Sequence, residues 1–204
     1  MLFDDTYLTI EKPVEGIFRD RGSKFMAFAY PFKTEKDIRD IVISLKKEHP
    51  KANHHCWAMR WGTDRTVFRV NDDGEPTGTA GRPILNVLLS RNLTNLAVVV
   101  VRYFGGTLLG VPGLINAYKS AAELVLNDAI VIERTVNDVY TIIFDYLQLN
   151  DVMRIIKEDN LNIVEQQFDN SCVMTVSVRK MQVNQTLAKL QKLASLSVKY
   201  DYSI

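Results

Sequence analysis

Residues 96–114 read LAVVVVRYFGGTLLGVPGL and join three kinds of local structure in one stretch. The first six residues form a continuous apolar run, rich in valine, of the kind found in strands that are buried on both faces. Four glycines follow within the next twelve residues. Beyond them, helical spacing places five apolar or aromatic residues on one side of a helix: Leu114, Tyr118, Ala121, Ala122 and Val125. The stretch therefore predicts a buried strand, a tight turn and an amphipathic helix.

The glycine-rich turn does not carry a nucleotide-binding signature. A P-loop needs Lys and Ser/Thr after its second glycine, whereas Val111 and Pro112 follow Gly110 here. The Rossmann spacing G-x-G-x-x-G is broken because Gly105 and Gly106 are adjacent.

Two interpretations of this turn stay open. The free N–H groups of a helix N-terminus favour an anion, and Arg102 at the end of the strand can add a charge-assisted contact. Alternatively, the glycines supply positive φ angles and allow close helix–sheet packing.

Composition and charge limit the classes of function. The 204 residues have a formal net charge of +1, so the chain lacks the overall basic excess of many nucleic-acid-binding proteins. Residues 137–204 carry eight acids and seven basic residues, and any polyanion site must be a local patch. Cys56 and Cys172 are too few for a disulfide framework or a cysteine-built zinc site. With no basic leader and no apolar run near ~20 residues, a cytoplasmic protein is expected.

Periodicity predicts an α+β protein of two domains, residues 1–134 and 137–204. The first domain begins with three strands and a helix that starts after Thr34, with a strand pair at 54–61 and 66–70 joined by Gly62, Thr63 and Asp64. A polar loop, NDDGEPTGTAGRP, leads into a helix that starts at Pro83. The second domain has the order β-α-β-β-α-β, which predicts a ferredoxin-like fold and a binding or docking module.

The acidic loop residues Asp72, Asp73 and Glu75 surround Gly74. Paired carboxylates can bind Mg²⁺ or share a proton, although the ligand spacing of an EF-hand is absent. Asp-Gly is also common turn chemistry. We rank a structural salt bridge to Arg82 or Arg102 first and a metal site second.

A third cluster is His54-His55-Cys56. Because alternate residues of a strand share a face, His54 and Cys56 should point together and His55 away. A catalytic zinc site has about three protein ligands, so His54 and Cys56 alone are too few. A nucleophilic thiolate needs an open pocket. The apolar flanks favour a buried strand whose polar side chains are hydrogen-bonded.

Basic and aromatic residues are the remaining candidates. Arg82 and Arg102 are the best placed, each near a helix start in a glycine-containing segment, and Lys24, Arg60, Arg69, Tyr103 and Lys119 can add to an RNA-binding surface. The candidate ligand- or nucleic-acid-binding residues are Arg82, Arg102, Tyr103, Gly105, Gly106, Gly110, Gly113, Thr79, Lys24 and Arg60. No catalytic residue and no cofactor is predicted.

These segments also resemble a known family. NDDGEPTGTAGRPIL followed by VVVVRYFGGTLLGVPGLINAY is similar to the signature of the IMPACT family, whose bacterial members are of the YigZ type. GSKFMAF and HHCWAMRWG resemble its lesser motifs, and the resemblance covers essentially the whole chain. One departure is local: Pro112 replaces a glycine, and Asn116 stands where an arginine is common.

The resemblance implies an N-terminal domain like the second domain of ribosomal protein S5 and a tail like a terminal domain of elongation factor G. Eukaryotic members restrain the starvation-response kinase partly through an extra N-terminal domain that has no counterpart in this sequence. For bacterial members it implies only a translation-associated or nucleic-acid-binding role.

Three functions stay open at this point. The first is a non-enzymatic translation- or stress-associated regulator that docks on RNA, the ribosome or a translation factor through the glycine-rich face. The second is an enzyme or binder for a small phosphorylated or nucleotide ligand, with Arg82 and Arg102 as anion clamps and Asp72 and Asp73 as metal ligands or base. The third is a protein–protein regulator that acts through the C-terminal domain.

Overall fold

The computed structural model describes residues 5–32, 34–62, 65–169 and 171–204, with only the backbone of Glu35. The predicted turn residues Thr63 and Asp64 lie outside this description. The chain divides into two compact units, one of residues 8–133 and one that combines residues 134–204 with residues 5–7. A mixed α/β organisation in two units is therefore confirmed.

Eleven strands and five helices are present in the described residues. In chain order they are β1 (Thr6–Ile10), β2 (Val14–Asp20), β3 (Ser23–Pro31), α1 (Glu35–Glu48), β4 (His54–Trp61), β5 (Val67–Asn71), α2 (Gly81–Ser90), β6 (Leu96–Tyr103), α3 (Gly110–Asn127), β7 (Val131–Thr135), β8 (Asn137–Phe144), α4 (Leu149–Glu158), β9 (Asn162–Phe168), β10 (Cys172–Arg179), α5 (Val183–Leu190) and β11 (Ser197–Ser203).

The unit of residues 8–133 is built on a five-stranded sheet with the order β2-β3-β6-β4-β5. All neighbouring strands are antiparallel. Successive side chains of each strand point to opposite faces of the sheet. Those on one face, such as Phe25, Cys56 and Val100, join the core formed with α2 and α3. Those on the other face, such as Phe28 and Val101, pack with Leu45 of α1. The sheet thus has an α2/α3 face and an α1 face.

The central strand β6 confirms the prediction made from its apolar run. Every residue from Leu96 to Arg102 is buried, because helices cover both faces of the sheet. All five residues of the predicted α3 stripe are buried as well. Helix α2 begins at Gly81 rather than at Pro83, because a carboxylate from the preceding loop accepts hydrogen bonds from its first N–H groups.

The C-terminal unit has an antiparallel sheet with the order β11-β8-β10-β9. Its apolar face includes Ile142, Met174 and Val176, which pack with Val152 of α4 and Leu190 of α5. The predicted order β-α-β-β-α-β is observed, with short 3₁₀ turns before each helix. Assignment of the two units to the S5-like and ferredoxin-like families stays a prediction.

The unit boundary differs from the predicted domain boundary at the N-terminal end of the described chain. The backbone N–H of Val136 donates to the carbonyl of Asp5 at 2.6 Å, and Arg179 Nε donates to the Asp5 carboxylate at 2.6 Å. Asp5 therefore belongs with the C-terminal unit, although it precedes the N-terminal one in sequence. Strand β7 was not predicted; it pairs with β1 as a separate two-stranded sheet.

Candidate functional site

The loop between β5 and α2 is held in place by its three acidic residues, each of which contacts a different element. Asp72 accepts hydrogen bonds from the backbone N–H groups of Gly78 (2.8 Å), Ala80 (3.1 Å) and Gly81 (2.8 Å). These donors include the first N–H groups of α2, which have no partner inside the helix. Asp72 therefore acts as the cap of α2.

Asp73 joins the same loop to the α1 side of the sheet. Its carboxylate accepts hydrogen bonds from Lys46 Nζ of α1 at 2.8 Å and from the backbone N–H of His55 at 2.7 Å. Burial alone would raise the pKa of this carboxyl group, but the Lys46 ammonium and the His55 N–H outweigh burial and lower it. Asp73 is therefore a stably ionised group that fixes the loop to β4 and α1.

Glu75 is the centre of a buried polar network on the α2/α3 face. Its Oε1 accepts hydrogen bonds from Arg102 Nη1 at 2.5 Å and from the Tyr118 hydroxyl at 2.7 Å. His54 Nε2 lies 3.8 Å from the same oxygen. Arg102 comes from β6 and Tyr118 from α3, so Glu75 ties the loop to the central strand and to the helix after the glycine turn. The salt bridge that we ranked first from sequence is present, between Glu75 and Arg102.

Arg102 is an internal residue. It is 5% exposed, and its guanidinium lies 5.5 Å from the ring centre of Phe25 and 5.7 Å from that of Phe104. Its Nε has no hydrogen-bond partner among the described residues. The charge of Arg102 is therefore directed at Glu75 and at two aromatic rings rather than at solvent.

The His-His-Cys cluster has the predicted alternation. His54 and Cys56 face α2 and α3, and His54 Nδ1 donates to the carbonyl of Asp73 at 2.9 Å. Cys56 Sγ lies 3.0 Å from the carbonyl of Asp72 and 3.3 Å from the Tyr118 hydroxyl. Burial raises the pKa of both the Cys56 thiol and the Tyr118 hydroxyl, so both stay protonated.

His55 points the other way, toward the α1 face, and is buried. Burial lowers the pKa of its imidazole, against an opposing effect of Asp73, so the ring favours the neutral form. Among the described residues, no group of three or more His, Cys, Asp or Glu side chains is arranged to hold a metal ion.

The glycine turn packs against a neighbouring hairpin. The Cβ of an alanine at position 105 would lie 1.9 Å from the carbonyl carbon of Gly22, in the turn between β2 and β3. The N–H of Gly105 donates to Ser23 Oγ at 3.2 Å, and the N–H of Phe104 donates to Asn53 Oδ1 at 2.9 Å. These two N–H groups are therefore already used within the protein, which favours the packing interpretation for Gly105.

Beyond this contact the corner exposes apolar side chains. Phe104 is 45% exposed, Leu108 83%, Val111 51% and Ile115 40%. We call these four residues the glycine-corner patch. Gly106 and Gly110 between them have φ angles of +86° and +69°, in the left-handed region that glycine tolerates best. Large apolar side chains in one exposed segment are typical of an interaction surface.

The structure does not gather all of the predicted binding residues at this corner. Lys24 and Tyr103 lie on the α1 face, where Lys24 Nζ is 5.9 Å from the Tyr103 ring centre and the Tyr103 hydroxyl is 3.0 Å from His49 Nδ1. Arg82 extends over Phe68 at 6.0 Å.

Arg60 is remote from Arg102 because β4 and β6 are antiparallel. His54 pairs with Arg102, whereas Arg60 pairs with Leu96 at the far end of the strand. Its guanidinium donates to the carbonyls of Arg65 and Leu93. A single surface that contains Arg60, Lys24 and Arg102 is therefore not formed.

The small predicted residues have local roles. Thr79 is buried, and its hydroxyl donates to the carbonyl of Pro76 at 2.7 Å. A Cβ at Gly113 would lie 3.0 Å from Leu109 Cβ, a tight contact within the first turn of α3.

Sequence reasoning missed the role of Tyr118. Its position in the apolar stripe of α3 predicted burial, and a buried tyrosine hydroxyl needs a hydrogen-bond partner. That requirement was the available signal for a polar group inside the core. The identity of the partner, Glu75, depends on a contact across 43 residues of sequence.

Residues 21–126 match the model of the Impact N-terminal domain, and this segment includes the acidic loop, the buried network and the glycine corner. The chain belongs to the IMPACT family. The resemblance seen in its sequence motifs is thereby confirmed.

The relatives cover both units of the chain. A Haemophilus influenzae IMPACT family member is 33% identical over 180 residues, which is 86% of each chain. Escherichia coli YigZ is 29% identical over 188 residues, 91% of this chain and 92% of that one. A crystal structure described as that of an hypothetical protein superposes with a TM-score of 0.74 at 29% identity, covering 95% of this chain and 96% of that chain. No helix in the described residues is long and apolar enough to span a membrane.

Proposed function

We propose that this protein is a non-enzymatic regulator that docks on a protein of the translation machinery through the glycine-corner patch. The observation that carries the proposal is the exposure of Phe104, Leu108, Val111 and Ile115 beside a turn that is closely packed on the β2–β3 hairpin. Membership of the IMPACT family supports translation as the setting.

The charges at the corner favour a protein partner over RNA. An RNA-binding face presents arginine and lysine side chains to phosphates. Arg102 is instead buried against Glu75, and Lys119 on α3 lies 3.7 Å from Glu123. The four exposed side chains of the patch are apolar, which suits a partner that can bury them.

The buried network supports a regulator rather than an enzyme. Asp72 caps a helix, Asp73 is bound to Lys46 and His55, and Glu75 is bound to Arg102 and Tyr118. A general base or a metal ligand has to be available to a substrate or an ion. Here the acids hold the loop and the corner in one arrangement.

The proposal is tested with a charge placed in the patch. We expect Leu108→Glu to weaken association with bacterial ribosomes or purified elongation factors by about tenfold or more, as is usual for an exposed anchor of an interface. The matched control is Leu147→Glu, because Leu147 is 94% exposed in the C-terminal unit. Co-sedimentation and surface-immobilised binding across a salt series provide the measurement.

The salt series separates the alternatives. Apolar docking predicts that binding persists from low to high salt and is lost in Leu108→Glu but kept in Leu147→Glu. Binding that falls steeply with salt and is unaffected by Leu108→Glu would identify RNA as the partner. Loss of binding in Leu147→Glu alone would assign docking to the C-terminal unit.

A further inference from the structure

Strand β5 is an exposed edge of the five-stranded sheet. It is the last strand in the order β2-β3-β6-β4-β5 and pairs with β4 in the described residues. All five of its residues are exposed, including Val67, Phe68 and Val70. The outer side of such a strand presents backbone N–H and C=O groups that can pair with another extended chain.

This edge carries few of the usual features that prevent strand addition. Natural sheets protect their edges with proline, charged side chains, bulges or a covering element. The sequence of β5 is VFRVN, with one charged residue, Arg69, and no proline or lysine. Its register with β4 is continuous from Trp57–Asn71 to Trp61–Val67. The strand is therefore regular along its full length and exposes three apolar side chains.

A groove on the α1 face lies directly beside this edge. It has a volume of about 320 Å³ and is lined by Ile38, Arg39, Val42, Ile43, Trp57, Met59 and Arg69. Arg69 comes from the middle of β5, opposite Met59 of β4. A strand added to β5 would place every second side chain over this face, next to Arg69.

The lining indicates the chemistry of the occupant. The groove is lined mainly by aromatic and aliphatic side chains, and the two charged residues that line it are arginines. Arg39 is exposed and makes no ion pair with the side chains that the structure describes. Arg69 already interacts within the chain. An apolar side chain fits the apolar part of the groove, and a carboxylate next to it would complement Arg39.

A second copy of this chain fits the edge less well. Arg69 is the middle residue of β5, so two copies paired antiparallel about their centres would set Arg69 against Arg69. Like charges directly opposite each other destabilise a strand pair. Pairing with a second copy is therefore disfavoured, and Arg39 beside the groove favours a partner strand that carries an acid.

We propose that β5 and the adjacent groove bind an extended segment of a partner protein by strand addition, with apolar side chains in the groove and an acidic residue beside Arg39. Backbone pairing along β5 supplies affinity, and the alternation of apolar and acidic residues supplies selectivity. This surface is distinct from the glycine-corner patch, which is formed by the turn after β6 and by α3.

The test uses a defined peptide on the full-length chain. The capped peptide TITDTIT places Ile, Asp and Ile on one face of a strand, and TITKTIT differs only in the central charge. Amide hydrogen exchange at residues 67–71, followed by NMR, reports backbone pairing directly. Fluorescence of Trp57, one of two tryptophans in the chain, reports occupation of the groove.

We expect TITDTIT to slow amide exchange in β5 and to bind at least about tenfold more tightly than TITKTIT. Arg39→Glu should remove this preference. The matched control is Lys47→Glu, an exposed residue two turns further along α1 that does not line the groove. Leu108→Glu should leave peptide binding unchanged, so failure of the corner proposal would not affect this one.

Three results would overturn the inference. The first is no slowing of β5 exchange with TITDTIT at its solubility limit. The second is equal binding of the two peptides to the wild-type chain. The third is concentration-dependent protection of β5 in the free protein, together with a dimer in sedimentation, which would show that a second copy pairs with this edge.

Discussion

Arg102 lies where sequence reasoning expected an anion ligand, at the end of β6 and just before the glycine turn. Its side chain turns inward and forms an ion pair with Glu75 in which both partners are almost fully buried. Two buried charges compensate each other, but removal of one leaves the other without compensation in a low-dielectric environment. The residue is therefore important for stability whether or not the corner binds a partner.

We expect Arg102→Met to lower the free energy of unfolding by about 3–5 kcal/mol, because Glu75 would remain buried with only neutral or weak partners. The double variant Arg102→Met/Glu75→Gln should recover part of the loss. Denaturant titration with circular dichroism provides the measurement, and Lys119→Met, in an exposed pair with Glu123, is the control. Equal stability of Arg102→Met and Lys119→Met would contradict the prediction and show that the buried pair contributes little to stability.

At the scale of elements, the glycine turn combines two different requirements. Gly105 approaches the backbone of Gly22 so closely that no side chain fits between them. Gly106 has a φ of +86° and open space around the position of a Cβ. The first glycine is needed for packing between the turn and the hairpin, and the second only for backbone conformation.

The two glycines should therefore respond differently to substitution. We expect Gly106→Ala to cost about 1–2 kcal/mol, the strain of a left-handed alanine. Gly105→Ala should cost more, because the β2–β3 hairpin or the turn has to move to admit the methyl group. Thermal unfolding of both variants measures the order. A Gly105→Ala protein as stable as Gly106→Ala would show that the Gly22 contact is loosely held.

The elements themselves could be predicted because their signals are local. The run at Leu96–Val101 and the stripe through Tyr118 depend on periodicities of a few residues, and both were confirmed. A salt bridge from the acidic loop to Arg102 was among the predictions, but the choice of Glu75 as its acid could not be predicted. The contacts of Glu75 with Tyr118 and of Asp73 with Lys46 could not be predicted either, since each depends on how distant elements pack. The early start of α2 has the same cause, because Asp72 reaches its N–H groups only when the loop is folded.

At the scale of the whole molecule, the two structural units are not two consecutive segments of the chain. Sequence patterns divide the chain at one place, near residue 135, whereas the structure also assigns residues 5–7 to the C-terminal unit. The Asp5–Arg179 pair joins residues 174 positions apart, and no local pattern signals such a contact. The short β7 was missed for a related reason, since its pairing with β1 joins two distant segments.

This division predicts where a loss of stability will appear. We expect Asp5→Ala to remove about 1–3 kcal/mol from the C-terminal unit, because a buried carboxylate with charge-assisted hydrogen bonds to Arg179 is lost. Amide exchange should accelerate in β8 and β10 and stay unchanged in β6. Asp151→Ala removes an exposed pair with Arg154 in the same unit and should change exchange little. If Asp5→Ala accelerates exchange in β6 as much as in β8, Asp5 stabilises both units and the division is wrong at its N-terminal boundary.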